Sequence, residues 1–528
     1  VLQNDLAHVE GAPLSRTQEL IWIADIPRIG SVRCPERTAI LFAERAERVS
    51  YQALDQRSDA FGQMLIKMGI KAGQRIAYLG RNSDLFFPVL FGAIRAGVVL
   101  VPINWRLTAP EVAYQIRDSQ SKLLICDPDL RPTAAQSIAG MQDPPVILST
   151  ESEEGSASLR ETLAESASAL SVPKDEAQVV LQLYTSGTTG NPKGVMISHY
   201  ALSIARHCEL SLAEFDFLAE GSVSLSAMPN FHVGGMSWVL MGLVRFGTVV
   251  LTADPSPANM LKLIREHRVE SSFIVPTVIR AMVDELRTSG APPPQMKGML
   301  YGAMPMSESL LRDAMQMMGC SFLQFFGMTE NTGSATYLAP ADHDLERPGL
   351  LKSVGKPYPG MALEIRNPVG EVVKRGQHGE IWIHSPTRLL GYWNLPEKTR
   401  EVLVDGWYAS GDGGYIDAGG FLFLTDRIKD VIISGGENVY PAEVEEAVRQ
   451  HPAVLDVACV GTPDERWGEA VVAFVECRPG KTVTVEELRA FVRERLAAYK
   501  CPKTMQFIES LPRTASGKVK RAELRQKL

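Results

Sequence analysis
The stretch YTSGTTGNPKGVMISH, residues 184 to 199, joins a tyrosine, a run of Ser and Thr hydroxyls, glycines at 187, 190 and 194, and Lys193. It follows the apolar, strand-like run VVLQLY. Glycines let the backbone approach an anion closely and turn N–H groups toward it. Thr185, Ser186, Thr188 and Thr189 add hydroxyl donors, and Lys193 adds charge. A Walker A loop needs Gly directly before its Lys, and Pro192 holds that place. The stretch therefore reads as a phosphate-holding loop of a different geometry, entered from a β-strand. An SGTTG fragment alone would read as a surface turn, so the meaning of the loop depends on what accompanies it.

At 528 residues the chain exceeds one compact core, and ordinary domain sizes predict two to four structural units. Average apolar and charged fractions fit a globular protein. The start, VLQNDLAHVEGAP, lacks the basic and apolar regions of a secretory signal. No run of about 18 uncharged apolar residues marks a membrane span, so a cytosolic location is the default expectation. The seven cysteines are scattered and form no CxxC or Cys/His cluster, which argues against a disulfide framework and a structural zinc site. A net charge of −7 with interspersed signs gives no basic footprint for nucleic acid. The expected partner is a small molecule, and a homodimer is left open.

Along the chain, SYQALDQRSDAFGQMLIKMG reads as a helix with Ser50 as its cap and Gly69 at its stop. QRIAYLG, SDLFFPVLFGAIRAG and VVLVPIN then alternate strand, helix and strand, as parallel βαβ units do. Residues 150 to 175, rich in Ser, Ala and Glu, read as a surface excursion. A second βα alternation runs from about 220 to 325. After residue 426 the elements become short and charged. PAEVEEAVRQHPAV reads as a helix with Pro441 in its first turn, VVAFVE as a strand, and TVEELRAFVRERLAAY as a helix opened by a Thr484/Glu487 capping box. The expectation is a large α/β N-terminal domain of several βα-layered subdomains, residues 1–426, and a small mobile α+β C-terminal domain, residues 427–528.

With these elements in place, YTSGTTGNPKG resembles the phosphate-loop signature of the adenylate-forming superfamily, which includes acyl-CoA synthetases, luciferase and peptide-synthetase adenylation domains. Further motifs follow in the family's order. NFHVGG (230 to 235) is similar to its histidine motif, FFGMTE (325 to 330) to its aromatic-Gly-x-Thr-Glu motif, and WYASGD (407 to 412) to its ribose-binding motif. DRIKDVIISGGENVYPAEVE (426 to 445) is like its hinge and following loop, and PRTASGK (512 to 518) like its terminal lysine motif.

The resemblance implies a role for each match. Glu330 and Thr185 hold Mg²⁺, a hard ion that takes oxygen ligands shared with nucleotide phosphates. Ser186, Gly187, Thr188, Thr189, Gly190 and Lys193 grip the ATP phosphates. Gly302, Ala303 and Met304, with Phe325, Phe326, Gly327, Met328 and Thr329, surround the nucleotide, and Asp412 and Arg427 reach its ribose. Lys518 bridges the substrate carboxylate and the α-phosphate, although by composition its basic run reads as a solvated tail. His232 gates the acyl site near the thiol path, whereas a lone histidine in an apolar stretch is more often a core residue. Gly435, Gly436 and Glu437 border the pantetheine channel of CoA, and Lys429 marks the hinge of the C-terminal domain. Phe325 and Phe326 depart from the family's usual small residue and tyrosine, which reshapes the expected acyl pocket.

The implied activity is that of an acid–thiol ligase using ATP, Mg²⁺ and CoA. A carboxylate attacks the α-phosphate to give an acyl adenylate and pyrophosphate, and the CoA thiol then expels AMP. A medium- or long-chain fatty acid is the first expectation for the carboxylate. The alternatives are an aryl, cinnamic-type or sterol-derived acid, or a stand-alone enzyme that loads a carrier protein.

Overall fold
The computed structural model describes residues 5–14, 19–152, 157–185, 191–212, 218–304, 306–347, 349–427, 430, 432–434, 437–464, 467–496, 498, 500–514 and 517–528. It divides into a larger unit, Val9–Ala362 with Ile383–Tyr408, and a smaller one, Val1–His8 with Leu363–Trp382 and Ala409–Leu528.

Helix α1 (Tyr51–Lys67) of the larger unit begins where the sequence predicts: the Ser50 hydroxyl accepts a hydrogen bond from Ala53 N–H, and Gly69 takes a positive φ just past the end. A seven-stranded sheet contains β1 (Arg75–Leu79), β2 (Val99–Ile103), β3 (Leu123–Cys126), β4 (Val146–Ser149), β5 (Val179–Thr185) and β6 (Lys193–Ser198). Its order is Gly391–Tyr392, β6, β5, β2, β1, β3, β4. The first four strands and β5 pair in parallel; β6 and the Gly391–Tyr392 edge pair antiparallel. Helix α2 (Phe86–Arg95) is buried along its whole length, matching its nearly unbroken apolar sequence.

The stretch from 150 to 175 is not a plain surface excursion. It contains helix α3 (Leu159–Ala164), opened by a Ser158/Glu161 capping box, with Leu159 and Leu163 buried. Arg160 adds a fork onto the fully buried Asp84 carboxylate, with contacts of 2.8 and 3.0 Å. Helix α4 (His199–Leu210) follows β6, and the apolar helix α5 (Val233–Val244) packs against it.

The second sheet of this unit has nine strands, among them β7 (Gly298–Gly302), β8 (Ser321–Met328) and β9 (Gly333–Leu338). β7 and β8 are parallel, while β8 turns back on β9 through a short 3-10 turn, Thr329–Asn331.

β10 (Trp407–Ile416), which belongs to the smaller unit from Ala409 on, and β11 (Leu422–Arg427) pair antiparallel. Helix α6 (Pro441–Arg449) starts at the predicted proline but stops short of His451-Pro452. The residue before a proline avoids the helical region, which limits the helix there. β12 (Val454–Asp464) and β13 (Gly468–Cys477) form the long central hairpin of a five-stranded sheet. Helix α7 (Val485–Arg493) carries the predicted Thr484/Glu487 capping box and ends earlier than its pattern suggested, with Leu496 still packed on the same core. The terminal helix α8 (Arg521–Arg525) packs on β12 and is tied to α6 by Arg521, whose guanidinium meets the buried Glu445 carboxylate at 2.5 Å. Burial pushes the Glu445 carboxyl up, against the opposing pull of Arg521. Among the described residues no helix is long and apolar enough to cross a membrane.

The α1–α2 contact of the larger unit is fastened by charge. Arg95, its side chain fully buried, contacts Asp55 at 2.6 Å and Asp59 at 2.8 Å, and also donates to Ala24 C=O. Arg95→Met should lower unfolding stability by about 3 kcal/mol, because deleting one partner leaves nearly buried carboxylates short of counter-charge. Urea unfolding followed by tryptophan fluorescence would check it; an unchanged midpoint would mean that Arg28, which also contacts both carboxylates, suffices.

Candidate active site
The strand β5 delivers Thr185 to the start of the phosphate loop, and β6 leaves the loop at Lys193, directly opposite Thr185 in the ladder. The intervening Ser186, Gly187, Thr188, Thr189 and Gly190 lie outside the described residues. Tyr184, just before Thr185, is anchored through its hydroxyl to Asp118 Oδ2 at 2.5 Å. Burial is the main cause that raises the Tyr184 pKa, so this phenol stays a donor. Thr185 and Lys193 are thus held by paired strand ends.

Glu330 sits on the turn between β8 and β9. Its Oε1 accepts a hydrogen bond from the Tyr392 hydroxyl at 3.1 Å, while Lys193 Nζ stands 4.4 Å from the centre of the Tyr392 ring. Glu330 Oε2 has no partner among the described residues. A half-buried carboxylate with one oxygen uncommitted, in the same unit as the Thr185 hydroxyl, is the hard-oxygen donor set that Mg²⁺ takes. These residues therefore fit the implied metal.

Gly302 ends β7, where a side chain would meet the Phe325 carbonyl oxygen at 2.4 Å, and Ala303 then adopts φ +66°. A positive φ on a non-glycine residue is uncommon and concentrates at ligand sites. Met304 follows. Phe326 and Gly327 flank a register shift in the β8–β9 ladder, and a Cβ on Gly327 would lie 1.8 Å from the Gly333 carbonyl oxygen. Glycine is therefore required there, and Met328 and Thr329 continue into the Glu330 turn. The Phe325 ring points into a cluster of rings, 5.7 Å from Phe273 and 6.2 Å from Tyr358, with Tyr337 5.0 Å from Tyr358.

His232 is the N-cap residue of α5 and packs on Phe231 at 4.5 Å. Near Phe231 lies a pair of residues that the motif reading overlooked. The Arg106 guanidinium stacks on Trp105 at 4.5 Å and stands 6.0 Å from the Phe231 ring, with no ion pair among the described residues. The signal in the sequence was the Trp-Arg pair in a loop after β2, which says nothing by itself about Phe231.

In the smaller unit, Asp412 on β10 faces Arg427 on β11 directly across the ladder, so the two residues assigned to the ribose are neighbours. Asp412 N–H donates to Ser410 Oγ, and Gly411 N–H to Glu380 Oε1. Lys518 is exposed and its backbone pairs with Thr514: Lys518 N–H donates to Thr514 Oγ1, and Thr514 N–H to the Lys518 carbonyl. Arg513 forms an ion pair with Asp456. Glu437 begins a short hairpin strand, and Gly435, Gly436 and Lys429 lie outside the described residues.

The comparisons with known proteins agree with this layout. Residues 30–393 match the model of the AMP-binding enzyme family, and residues 443–518 that of the AMP-binding enzyme C-terminal domain. The chain is 37% identical over 493 residues to a fatty acid–[acyl-carrier-protein] ligase of Streptomyces coeruleorubidus, covering 93% of each chain. It is 37% identical over 496 residues to a feruloyl-CoA synthase of an Amycolatopsis species, covering 93% of this chain and 96% of the other. Among solved structures it resembles the o-succinylbenzoate CoA synthetase of Bacillus subtilis in complex with its acyl-adenylate intermediate, with a TM-score of 0.83, 28% identity, and coverage of 96% and 98%. Motif order, sheet architecture and these matches converge: the chain belongs to the AMP-binding, adenylate-forming enzyme family, among its acid–thiol ligases.

Proposed function
We propose that this enzyme activates a hydrophobic carboxylic acid as an acyl adenylate and transfers the acyl group to CoA. The observation that supports this is the Lys193–Tyr392–Glu330 arrangement, in which a lysine lies over one buried ring and a carboxylate accepts from its hydroxyl. ATP, Mg²⁺ and CoA are the reactants and metal that such a ligase uses. Glu330 and Thr185 would hold Mg²⁺, which neutralises charge on the phosphates.

A carboxylate oxygen forms the new bond to the α-phosphorus, and the bond to pyrophosphate breaks. Lys193 clamps the departing phosphates. Lys518 steadies the carboxylate and α-phosphate as charge redistributes, since positioning and charge stabilisation are most of what a protein contributes to transfer at phosphorus. Asp412 and Arg427 hold the ribose. Gly302, Ala303, Met304 and Phe326 shape the nucleotide site. The thiol sulfur then bonds to the acyl carbon, and the bond to AMP breaks. We take 426/427 as the boundary between the acid-activating domain and the C-terminal domain.

For the acyl group, the apolar, methionine-rich α5 favours a medium- or long-chain fatty acid. The cluster of Phe273, Phe325, Tyr337 and Tyr358 rings favours an aryl or cinnamic-type acid, because edge and offset ring contacts suit a flat ligand. For the acceptor, the Arg106 guanidinium on Trp105, near Phe231 and with no ion pair among the described residues, favours CoA. Its adenosine phosphates offer an anion and a flat base, neither of which a carrier-bound pantetheine arm brings in the same form.

Acid-dependent pyrophosphate release over a panel of straight-chain and aryl acids would identify the acyl class. On every active acid, Lys518→Ala should cut that release by about 100-fold or more, yet largely spare CoA transfer from supplied acyl adenylate. Equal loss of both steps would remove Lys518 from its assigned role. Arg106→Gln should raise KM for CoA about tenfold while leaving acid-dependent pyrophosphate exchange and the KM for pantetheine unchanged. A matching rise for pantetheine would make Arg106 a packing residue instead.

A further inference from the structure
The segment from 387 to 393 does more than add an edge to a sheet. On one side, Thr387 Oγ1 donates to the Asn331 carbonyl and Leu389 N–H donates to the Glu330 carbonyl at 2.7 Å. On the other side, Leu390 N–H and Trp393 N–H donate to the carbonyls of Met196 and Gly194 on β6, the strand that begins at Lys193. Tyr392 N–H is held by Thr399 Oγ1, and Trp393 Nε1–H donates to the Asp118 carbonyl, the residue whose carboxylate also anchors Tyr184. This strap joins the metal-binding turn to both strand ends of the phosphate loop. Tyr392 is the one residue of the strap whose side chain contacts both Glu330 and Lys193, through its hydroxyl and its ring respectively.

We propose that Tyr392 is a positioning residue that sets the distance between the phosphate-loop lysine and the metal-binding carboxylate. Its hydroxyl fixes Glu330 Oε1 and leaves Oε2 for the metal. Its ring gives Lys193 a cation-stabilising surface without a competing anion. An acidic residue there would neutralise the lysine before any phosphate arrived, and an aliphatic residue would leave both groups free to drift. The ring is nearly fully buried, so its place is fixed by packing before ligands bind. The inference rests on the role given to Glu330 and Lys193 above.

The test separates the two ring functions in acid-dependent ATP–pyrophosphate exchange and, without turnover, in a Mg²⁺ titration of the melting temperature of the ATP-bound enzyme in the absence of acid, where each shift in Mg²⁺ requirement should recur. Tyr392→Phe keeps the ring and should raise the Mg²⁺ concentration needed for half-maximal exchange about tenfold, with a small change in KM for ATP at saturating Mg²⁺. Tyr392→Leu should add about a threefold rise in KM for ATP at saturating Mg²⁺. Glu330→Gln tests the underlying assignment and should itself shift the Mg²⁺ requirement. Combining it with Tyr392→Phe should add little, because the two act on one contact. If Glu330→Gln leaves the Mg²⁺ requirement unchanged, the assignment of Glu330 fails. If Glu330→Gln shifts it and Tyr392→Phe does not, or if Tyr392→Phe lowers only thermal stability and the active fraction, the positioning role of Tyr392 is overturned.

Discussion
The pairing of the Gly391–Tyr392 strand with β6 is the contact on which the proposed site of the larger unit depends. Lys193 and Glu330 belong to two different sheets that share one hydrophobic core, and this segment adds backbone hydrogen bonds from the Lys193 strand to the Glu330 turn. A two-residue strand is a weak element by itself. It holds because backbone bonds to Glu330, Met196 and Gly194 flank it, and because Leu389 and Tyr392 are buried in the main hydrophobic core. Buried, hydrogen-bonded tyrosine is an efficient way to do this: one side chain offers a donor, a ring face and large apolar area.

Much of the fold was legible because its signals are local. The Ser50 cap, the Gly69 stop, Pro441 in a first turn and the Thr484/Glu487 box each act within one helical turn, and the structure places helix ends at all of them. Helix α3 carried an equally local Ser158/Glu161 box, but its Ser- and Ala-rich surroundings hid the two buried leucines. The overlong readings of α6 and α7 have the same origin in reverse: a helical pattern persists past the point where the backbone turns. Capping chemistry, more than periodicity, fixed the boundaries.

The site was legible in its parts and not in its connections. Thr185 and Lys193 fall opposite each other because they begin and end one loop, which the sequence implies. Asp412 and Arg427 are partners in a ladder that no motif announces. Tyr392 and Arg106 escaped the sequence reading for one physical reason. Each contacts side chains far away along the chain, Tyr392 those of Glu330 and Lys193, Arg106 that of Phe231. Only packing brings such pairs together, and aromatic residues in loops carry no periodicity to reveal it.

The same separation explains why reaction type and substrate differ in how firmly they are read. The proposed reaction rests on charged and hydroxyl groups whose kinds cannot be exchanged without losing the chemistry: a lysine for the phosphates, a carboxylate for the metal, a second lysine for the α-phosphate. The acyl group depends on ring and methyl surfaces, which pack in many ways. The most direct measurement follows the carboxylate oxygen. With ATP, Mg²⁺, CoA and an accepted acid labelled with heavy oxygen in its carboxyl group, mass spectrometry of the released AMP should find a single labelled oxygen per molecule, with none in pyrophosphate. Unlabelled AMP, or label appearing in orthophosphate alongside ADP, would contradict attack at the α-phosphate.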